Sequence, residues 1–291
     1  MDFKVFYQEH YKKLFWIPII LLVLALLVLV INYANTGDII DKDVSLKGGT
    51  TLAVYTFQSS EGLEDFLSKR IQGDFNVREL SEFASNEVIG FIVEASDVSD
   101  TELLSNVEEF LGYDLTSDDY SLEIVGSALG ESFYKQMMIA ILLAFLFMGV
   151  VVLITFRTVV PSLAVIGAAF ADITITLAIL GLFNVQLGTS GIAALLLLIG
   201  YSIDTDILLT TKVLKRKGGS AIERMFGAMK TGLTMTGTTI VALSVAFFVS
   251  NSPVLKQMFM VIIIGLFVDV IYTYAMNAGV LVWYAKRRKQ D

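Results

Sequence analysis

Long apolar stretches alternate with short polar segments along this chain of 291 residues. Six of the stretches are long enough to cross a bilayer, because about 20 helical residues cover a hydrocarbon core of roughly 30 Å. A region of mixed polarity, residues 34–132, separates the first stretch from the other five. The pattern predicts six transmembrane helices, at residues 14–33, 137–156, 161–183, 191–211, 231–250 and 254–283. The last five are expected to form a bundle within residues 137–285.

The first apolar stretch has a rival interpretation as a cleaved signal peptide. Such a peptide has an apolar core of about 7–15 residues followed by a small-residue cleavage site. This run is longer and ends in Asn-Tyr-Ala-Asn, and Trp16 and Tyr33 stand at its two ends as interfacial anchors. We therefore expect a retained first span, preceded by the polar segment 1–13.

The region 34–132 combines strand-like alternation with two helical patterns. Their order, β-α-β-β-α-β, is that of the ferredoxin-like fold. The chain is therefore predicted to be an α-helical polytopic membrane protein with an inserted α+β ferredoxin-like extracytoplasmic domain. The strands are expected at 50–57, 75–80, 87–95 and 120–125, and the helices at 62–71 and 101–111.

Composition supports the membrane class and excludes several kinds of chemistry. Hydrophobic residues make up 55% of the chain, and the mean hydropathy is +0.70, beyond the range of soluble proteins. There is no cysteine, and the single histidine, His10, precedes the first span. A disulfide framework, a thiolate metal site and a histidine-based catalytic centre in the membrane are excluded, and we expect no cofactor and no bound metal.

Charge is distributed unevenly. The region 34–132 contains 21 acidic and 5 basic residues, and the rest of the chain contains 8 acidic and 16 basic ones. Basic residues gather before the first span, at Arg157, in the loop 212–230 and in the tail 286–291, whereas the opposite short loops carry only Lys256. The positive-inside rule then places both termini in the cytosol and 34–132 outside the plasma membrane. No nucleic-acid partner is expected.

Four carboxylates, Asp172, Asp204, Asp206 and Asp269, lie within predicted spans. A charge at the centre of a membrane helix costs about 2.5–3.5 kcal/mol on insertion scales. No Lys or Arg lies in the apolar part of any span, although Lys230 at the cytosolic end of the fifth could reach inward. Because four acids cannot all be charged in a low-dielectric interior, we expect carboxylates that take up and release protons.

The two acids of the fourth span point to nearly opposite faces, since successive helix residues turn by about 100°. Asp206 shares its face with Ser202 and Thr210, and Asp204 shares its face with Gly200. We expect other helices to surround this span, with hydroxyls solvating Asp206 and close, drier packing around Asp204. One of the two should carry ion coupling and the other should anchor the bundle; a purely structural role for both is the alternative.

The remaining intramembrane polar residues lie on the third, fifth and sixth spans. Asp172 has Thr176 one turn further along, and Asp269 lies on a stripe with Gly265, Thr273 and Asn277, where it could equally clamp two helices. The fifth span contains several threonines, among them Thr234 and Thr238. For most of these threonines a hydrogen bond back to their own helix is the simpler account.

Four places in the chain are similar to motifs of one known family. The segment 45–50, with Gly48 and Gly49, is similar to an Asp-Phe-x-Gly-Gly-Thr motif at the start of an outer domain, and 124–131, with Gly126 and Gly130, to Val-Gly-Pro-x-Val-Gly. Asp172 falls at a His-Asp motif, and the sequence from Gly200 and Tyr201 onward is similar to Gly-Tyr-Ser-Ile-Asn-Asp. With these motifs, the chain resembles the SecF family, the smaller partner of SecD in the resistance-nodulation-division superfamily.

The sequence departs from the family pattern at several of these places. Ala171 replaces the usual His, Ser127 replaces Pro, and Lys230 stands where the family often has Arg. The acids of the fourth span stand at 204 and 206, where the bacterial pattern has Asn followed by Asp. These differences suggest an archaeal-type member.

The resemblance implies a role in protein export. SecD and SecF form a twelve-span pair beside the SecY channel and use the ion gradient to assist the movement of secretory chains. The implied partners are a SecD-like six-span protein, a SecY-type channel, the translocating polypeptide and membrane lipid. The resemblance thus implies a transport subunit that is not an enzyme. Taken together with the polar positions inside the spans, the coupling candidates are Asp172, Asp204, Asp206, Asp269 and Lys230, with Ser202, Thr210, Thr234 and Thr238 in support.

Two other hypotheses about the function are compatible with the sequence. A small-molecule exporter of the same superfamily would normally have twelve spans and two large outer domains in one chain. A structural scaffold subunit of a membrane complex would tolerate neutral residues at all four acids. Proton and sodium coupling cannot be separated by the positions of the carboxylates alone.

Overall fold

Six long apolar helices form the membrane part of the computed structural model, which describes residues 7, 10–11, 13–81, 88–96, 98–216, 218–250 and 252–288. Each helix is long and apolar enough to cross a membrane, so the prediction of six spans is confirmed. We number these spans first to sixth in chain order. They are Trp16–Thr36, Ser127–Phe156, Val159–Leu182, Thr189–Leu214, Ala221–Val249 and Val254–Arg287.

Two of the helices begin well before the apolar runs that predict them. The second span starts at Ser127 rather than at residue 137, and the fifth starts at Ala221 rather than at 231. Hydropathy locates only the part of a helix that suits hydrocarbon, whereas capping residues decide where the helix starts. Ser220 and Glu223 form a reciprocal capping box at the start of the fifth helix, within a segment that is otherwise polar.

The sixth span is interrupted by a π-turn. Its α-helix Pro253–Ile271 is followed by the π-helix Tyr272–Asn277 and then by the α-helix Ala278–Arg287. Hydrogen bonds in a π-helix run over five residues instead of four, and such turns occur mostly at functional sites. The Tyr272 hydroxyl donates to the carbonyl of Pro18 at 2.6 Å, and the Tyr7 hydroxyl donates to the carbonyl of Tyr274 at 2.8 Å. The π-turn is therefore bound both to the first span and to the segment before it.

The inserted domain contains a four-stranded antiparallel sheet in the order β2-β3-β1-β4. Its strands are β1 (Gly49–Val54), β2 (Asp74–Ser81), β3 (Val88–Ser96) and β4 (Tyr120–Val125). The helices Leu63–Arg70 and Asp100–Leu111 connect β1 to β2 and β3 to β4. This element order and strand order define the ferredoxin-like fold, and that prediction is confirmed.

One face of the sheet packs on the two helices because alternate residues of its strands are apolar. In β1, Leu52 and Val54 are fully buried against Leu63 and Leu67 of the first helix. Ser99 accepts a hydrogen bond from the backbone N–H of Glu102 and so caps the second helix. The opposite face of the sheet lies against the ends of the fourth and sixth spans nearest the domain, which we call their outer ends.

The glycines of the two motifs around the first strand meet at the base of the domain. Gly48 has φ +85°, and a Cβ there would lie 2.3 Å from the Cα of Ser127. A Cβ on Gly130 would lie 2.7 Å from the backbone nitrogen of Gly48. A Cβ on Gly49, at φ +143°, would lie 2.3 Å from the carbonyl oxygen of Ala95. Side chains are excluded here because the domain's first strand and the second span are in backbone contact.

Candidate ion-coupling site

Three of the four intramembrane acids converge between the third, fourth and sixth spans. Asp172, Asp206 and Asp269 are each exposed by 1% or less, and we call them the acid cluster. The three helices that carry them are mutual neighbours, and the fourth span also contacts the second and fifth. The prediction that other helices surround the fourth span is therefore correct for the face that carries Asp206.

Hydroxyl groups of the fourth span contact the carboxyl groups of the third and sixth spans. Ser202 donates to Oδ2 of Asp172 at 2.7 Å. Thr205 Oγ1 lies 3.1 Å from Oδ2 of Asp269, and the carboxyl groups of Asp172 and Asp269 are within hydrogen-bonding reach of each other. The fourth span therefore joins the third and sixth spans through side chains on one of its faces.

The π-turn of the sixth span completes the cluster around Asp206. Asn277 donates from Nδ2 to Oδ1 of Asp206 at 2.6 Å. Thr273 Oγ1 lies 3.1 Å from that same oxygen and 3.2 Å from Oδ1 of Asp269. A single threonine hydroxyl thus links two carboxyl groups on different helices.

The number of hydrogens available limits the number of charges in the cluster. A hydroxyl donates one hydrogen, and a carboxylate oxygen can only accept. Thr273 contacts two carboxyl oxygens, so both contacts are hydrogen bonds only if one of the acids, Asp206 or Asp269, carries a proton. The described part of the chain contains three ion pairs, Lys42–Asp38, Arg70–Glu109 and Arg78–Glu94, and none of them involves the cluster. Within the described residues, the cluster is therefore held by hydroxyl, amide and carboxyl groups without a cationic side chain.

Several buried oxygen atoms in and near the cluster have no hydrogen-bond partner within the described residues. They are Oδ1 of Asp172, Oδ2 of Asp206, Oδ1 of Asn277 and Oγ1 of Thr210. Each has a lone pair that can accept a hydrogen, so the cluster has capacity for more protons than its hydroxyls supply. Among the described residues, no group of three or more acids or histidines is arranged to hold a metal ion.

Apolar side chains on the fourth and sixth spans close the cluster on both sides. Toward the inserted domain, Leu195 and Leu198 pack with Leu266, and a Cβ on Gly265 would lie 2.3 Å from a methyl carbon of Leu198. Toward the chain termini, Leu209 and Val213 of the fourth span pack with residues that follow the π-turn. The carboxyl groups are thus enclosed between two apolar layers.

Asp204 lies outside this cluster, and the prediction that it is the drier of the two fourth-span acids is wrong. Its side chain is exposed, and so is Gly200, which would have nothing within 4 Å of an added Cβ. The fourth span presents this face away from its four neighbouring helices. The hydroxyl assignment for Asp206 is also wrong: Ser202 bonds to Asp172, Thr210 is unpartnered, and the donors to Asp206 come from the sixth span.

The candidates on the fifth span are remote from the cluster. Lys230 is exposed, and its backbone carbonyl accepts a hydrogen bond from the hydroxyl of Thr234 at 2.8 Å. Thr238 is exposed and donates to the carbonyl of Met235 at 2.8 Å. Their hydroxyls thus bond back to their own helix. Tyr201, 37% exposed, shares the open side of the fourth span with Gly200 and Asp204.

Sequence reasoning missed Thr205 and the two tyrosines of the π-turn. Thr205 lies three residues after Ser202, so the helical spacing that selected Ser202 would have placed it on the neighbouring side of the helix. Tyr272 and Tyr274 carry no such signal, because the aromatic residues of a span look like core or interface. Gly232 is where Tyr274 fits: an added Cβ would lie 2.1 Å from the tyrosine hydroxyl.

A second polar site, which we call the outer junction, joins the sheet to the outer ends of the spans around a cavity of about 280 Å³. Asp43 accepts hydrogen bonds from the backbone and side chain of Ser45, whose hydroxyl accepts from the N–H of Thr189 at 3.0 Å. Gln257 of the sixth span accepts from Ser190 at 2.6 Å and from the N–H of Gly188 at 3.2 Å. The outer ends of the fourth and sixth spans are thereby fixed to each other and to the start of the domain.

A buried carboxyl group belongs to the outer junction as well. Glu94 of β3 is 7% exposed, forms an ion pair with Arg78 and accepts a hydrogen bond from Asn76. Burial raises the pKa of Glu94, with the nearby Arg78 guanidinium opposing that shift. Asn76 also donates to the side-chain carbonyl of Gln186 at 3.0 Å, which ties the sheet to the loop before the fourth span.

Comparison with known proteins identifies the family to which this chain is related. Residues 108–287 match the model of the family described as "Protein export membrane protein SecD/SecF, C-terminal". The chain is 39% identical over 288 residues to the protein-export membrane protein SecF of Methanothermobacter thermautotrophicus, covering 96% of this chain and 94% of the relative. It is 33% identical over 290 residues to SecF of Pyrococcus furiosus, covering 98% and 95%.

The solved structure of SecDF from Thermus thermophilus, a translocon-associated membrane protein, has the same fold. It matches with a TM-score of 0.72 at 21% identity, over 99% of this chain and 39% of the SecDF chain. The present chain thus spans well under half the length of that solved relative. The combination of six spans, an inserted ferredoxin-like domain and buried intramembrane acids defines a membrane protein of the SecD/SecF type. The chain belongs to the SecF family of protein-export membrane proteins, and the resemblance noted in its motifs is confirmed.

Proposed function

We propose that this protein uses the transmembrane proton gradient to assist the movement of secretory polypeptides through a SecY-type channel. Membership of the SecF family supports the export role. The observation that supports the choice of ion is the single Thr273 hydroxyl shared by Asp206 and Asp269, in a cluster that takes part in none of the ion pairs of the described residues. We propose a transport role without covalent catalysis.

Coupling would run along the sixth span. A change in the number of protons on the acid cluster changes which hydrogen bonds Asp269 and Thr273 can make to the fourth span. At its outer end the same span carries Gln257, which bonds to Gly188 and Ser190 beside the inserted domain. Proton uptake and release at the cluster would thereby alter the position of the domain that faces the translocating chain.

The exposed side of the fourth span supports a six-span SecD-like partner. Leu197 is 48% exposed and Tyr201 37% exposed, and Asp204 lies between them and the terminus side of the helix. A carboxyl group that faces lipid in a membrane span is costly, and such residues almost always face protein or water. We propose that the partner covers this face and offers Asp204 a hydrogen-bond donor or a cation.

The proposed orientation has both termini in the cytosol and residues 34–132 outside the plasma membrane. Single cysteines at Ser117 and Arg216, both exposed, provide the test. In intact cells an impermeant thiol reagent should label the Ser117→Cys protein, and it should label the Arg216→Cys protein only after permeabilisation. Equal labelling of both variants in intact cells would contradict the orientation.

The function is tested with inverted membrane vesicles that contain this protein and its partner, by measuring gradient-stimulated translocation of a secretory precursor. The Asp206→Asn variant should lose the stimulation, and the Asp204→Asn variant should keep most of it. A sodium gradient imposed without a pH gradient should give no stimulation. Full stimulation in all three variants Asp172→Asn, Asp206→Asn and Asp269→Asn would instead favour a scaffold subunit, and stimulation by sodium alone would exclude the proton.

A further inference from the structure

An apolar groove lies where the two ends of the membrane part of the chain meet. It has a volume of about 390 Å³ and is lined by Tyr11, Phe15, Gly279, Val280 and Trp283. Gly279 lies beside Tyr11, and an added Cβ there would be in van der Waals contact with the carbonyl oxygen of Tyr11, at 3.7 Å. The groove therefore lies beside the first and sixth spans, on the side of the membrane where both termini emerge.

Cationic side chains surround the groove on its terminus side. The ammonium of Lys286 lies 5.6 Å from the ring centroid of Tyr11, and the guanidinium of Arg287 lies 5.3 Å from that of Trp283. Lys13 and Arg288 are exposed close by in the sequence. Cation–π contacts restrict Lys286 and Arg287 to the margin of the groove, and neither forms an ion pair with another described residue, so their N–H donors can bind an anion.

An apolar slot with a cationic margin at the membrane surface matches the two parts of an anionic phospholipid. An acyl or isoprenoid chain fills an apolar groove, and a phosphate accepts charge-assisted hydrogen bonds from Arg and Lys. Basic pockets between membrane helices on the cytoplasmic side are a recognised way of binding anionic headgroups. We propose that this groove binds one anionic phospholipid from the leaflet on the terminus side, with its chain along Val280 and Trp283 and its phosphate at Lys286 and Arg287.

Charge complementarity selects the lipid over a protein helix as the occupant. An apolar helix would leave the cations at the margin without a counter-charge, whereas a phospholipid supplies apolar chain and anion in one molecule. The groove is also separate from the exposed Leu197–Asp204 side of the fourth span. Its occupancy therefore does not depend on the proposed partner or on the acid cluster.

Fluorescence of Trp283 gives a direct test, because the chain has only two tryptophans. The Trp16→Phe variant of the full chain, with Trp283 as its only tryptophan, is placed in bilayers of phosphatidylcholine and phosphatidylglycerol in which one lipid at a time is brominated. Bromine quenches only at contact range, so the ratio of the two quenching curves gives the relative affinity of the groove for the two lipids. We expect a preference of several-fold for phosphatidylglycerol.

The variants Lys286→Gln and Arg287→Gln, combined in the Trp16→Phe background, should reduce that preference to near unity. Arg216→Gln removes an exposed basic residue from the segment that follows the fourth span, on the same side, and should leave the preference unchanged. Gly279→Leu fills the groove and should weaken quenching by both lipids. If this variant does not fold, the comparison of Lys286→Gln and Arg287→Gln with Arg216→Gln still tests the proposal. Three results would overturn the proposal. They are equal quenching by the two lipids in the Trp16→Phe protein, no quenching by either lipid, and a preference that Lys286→Gln and Arg287→Gln do not change.

Discussion

The outer junction and the acid cluster both bury carboxyl groups, but they neutralise them by different means. At the outer junction, Glu94 is paired with the guanidinium of Arg78 and held by an amide of Asn76. In the acid cluster, the carboxyls have hydroxyls and one amide as donors, and no ion pair of the described residues involves them. The first arrangement carries its own counter-charge, whereas under the proposed function the second would be neutralised by protons.

This difference indicates what each region can do. At the outer junction the Arg78 guanidinium opposes the rise in the pKa of Glu94 that burial causes, so part of the cost of burying this carboxyl is offset within the joint itself. Carboxyls that share a few hydroxyl hydrogens change their hydrogen bonds whenever a proton is gained or lost. Under the proposed function, the outer junction would be the attachment of the domain and the acid cluster the part that responds to the gradient.

The largest effect is expected from neutralising the cluster itself. Asp206→Asn keeps most hydrogen-bonding capacity but cannot carry a proton, and Asp172→Asn and Asp269→Asn do the same on the neighbouring helices. Each should reduce gradient-stimulated translocation by about tenfold or more, because ionisable residues within spans serve as proton relays. Translocation into inverted vesicles measures the effect. Thr234→Val, on the fifth span and bonded only to its own helix, is the matched control.

A smaller effect is expected when the shared donor is removed. Thr273→Val retains the shape of the side chain but takes away the one hydroxyl that links Asp206 and Asp269. We expect a several-fold loss of gradient stimulation, with Asn277 still bound to Asp206. Thr273→Ser restores the hydroxyl and should restore most of the activity. Equal loss in the Val and Ser variants would mean that packing, rather than the hydrogen, is what matters there.

Asp204 separates partner binding from coupling. Asp204→Asn should preserve translocation, while Asp204→Lys should weaken association with the six-span partner because it changes the charge on the exposed side of the fourth span. Copurification of the partner and disulfide crosslinking from Gly200→Cys measure association. Should Asp204→Lys bind its partner as well as the unchanged protein does, this face is not the interface.

The smallest effect is expected at the outer junction. Because the folded-state pKa of Glu94 is raised, folding favours the protonated form of this side chain. The contribution of Glu94 to the stability of the fold therefore falls as the pH rises above 4.5, the ordinary pKa of a glutamate. Glu94→Gln imitates the protonated form, so it should raise stability at neutral pH, by on the order of 1 kcal/mol. Thermal unfolding of the full chain at several pH values should show this gain shrinking as the pH falls. A gain in stability that grows toward low pH would mean that the pKa of Glu94 is lowered on folding, which contradicts the prediction.

Sequence periodicity predicted the inserted domain well, since a strand with alternate apolar residues has only one face to bury. Leu52 and Val54 in β1 show this directly. In the membrane, nearly every side chain is apolar, and periodicity describes a residue's direction only relative to its own helix. Ser202 lies on the helix face predicted for Asp206, yet it bonds to Asp172 because the third span packs at that position.

The π-turn shows a further limit of sequence reasoning. The segment Tyr272–Asn277 contains neither proline nor glycine, so nothing in it indicates a break in an α-helix. The break exists in the context of distant partners, Tyr7 and Pro18. The exposure of Asp204 likewise depends on which helices surround the fourth span, and the charge pattern of the chain does not contain that information.

The hydrogen bond from Tyr272 to Pro18 also has a consequence for how the protein is made. It joins residues 254 positions apart, so the first span has to stay in the bilayer without this contact until synthesis of the chain is nearly finished. Asp172 and Asp206 enter the membrane during that interval, before Asp269 and the π-turn exist to complete their surroundings. The acid cluster is therefore assembled as one of the last events of biogenesis, and an unfinished chain is inserted with its first two buried acids lacking the partners that the sixth span supplies.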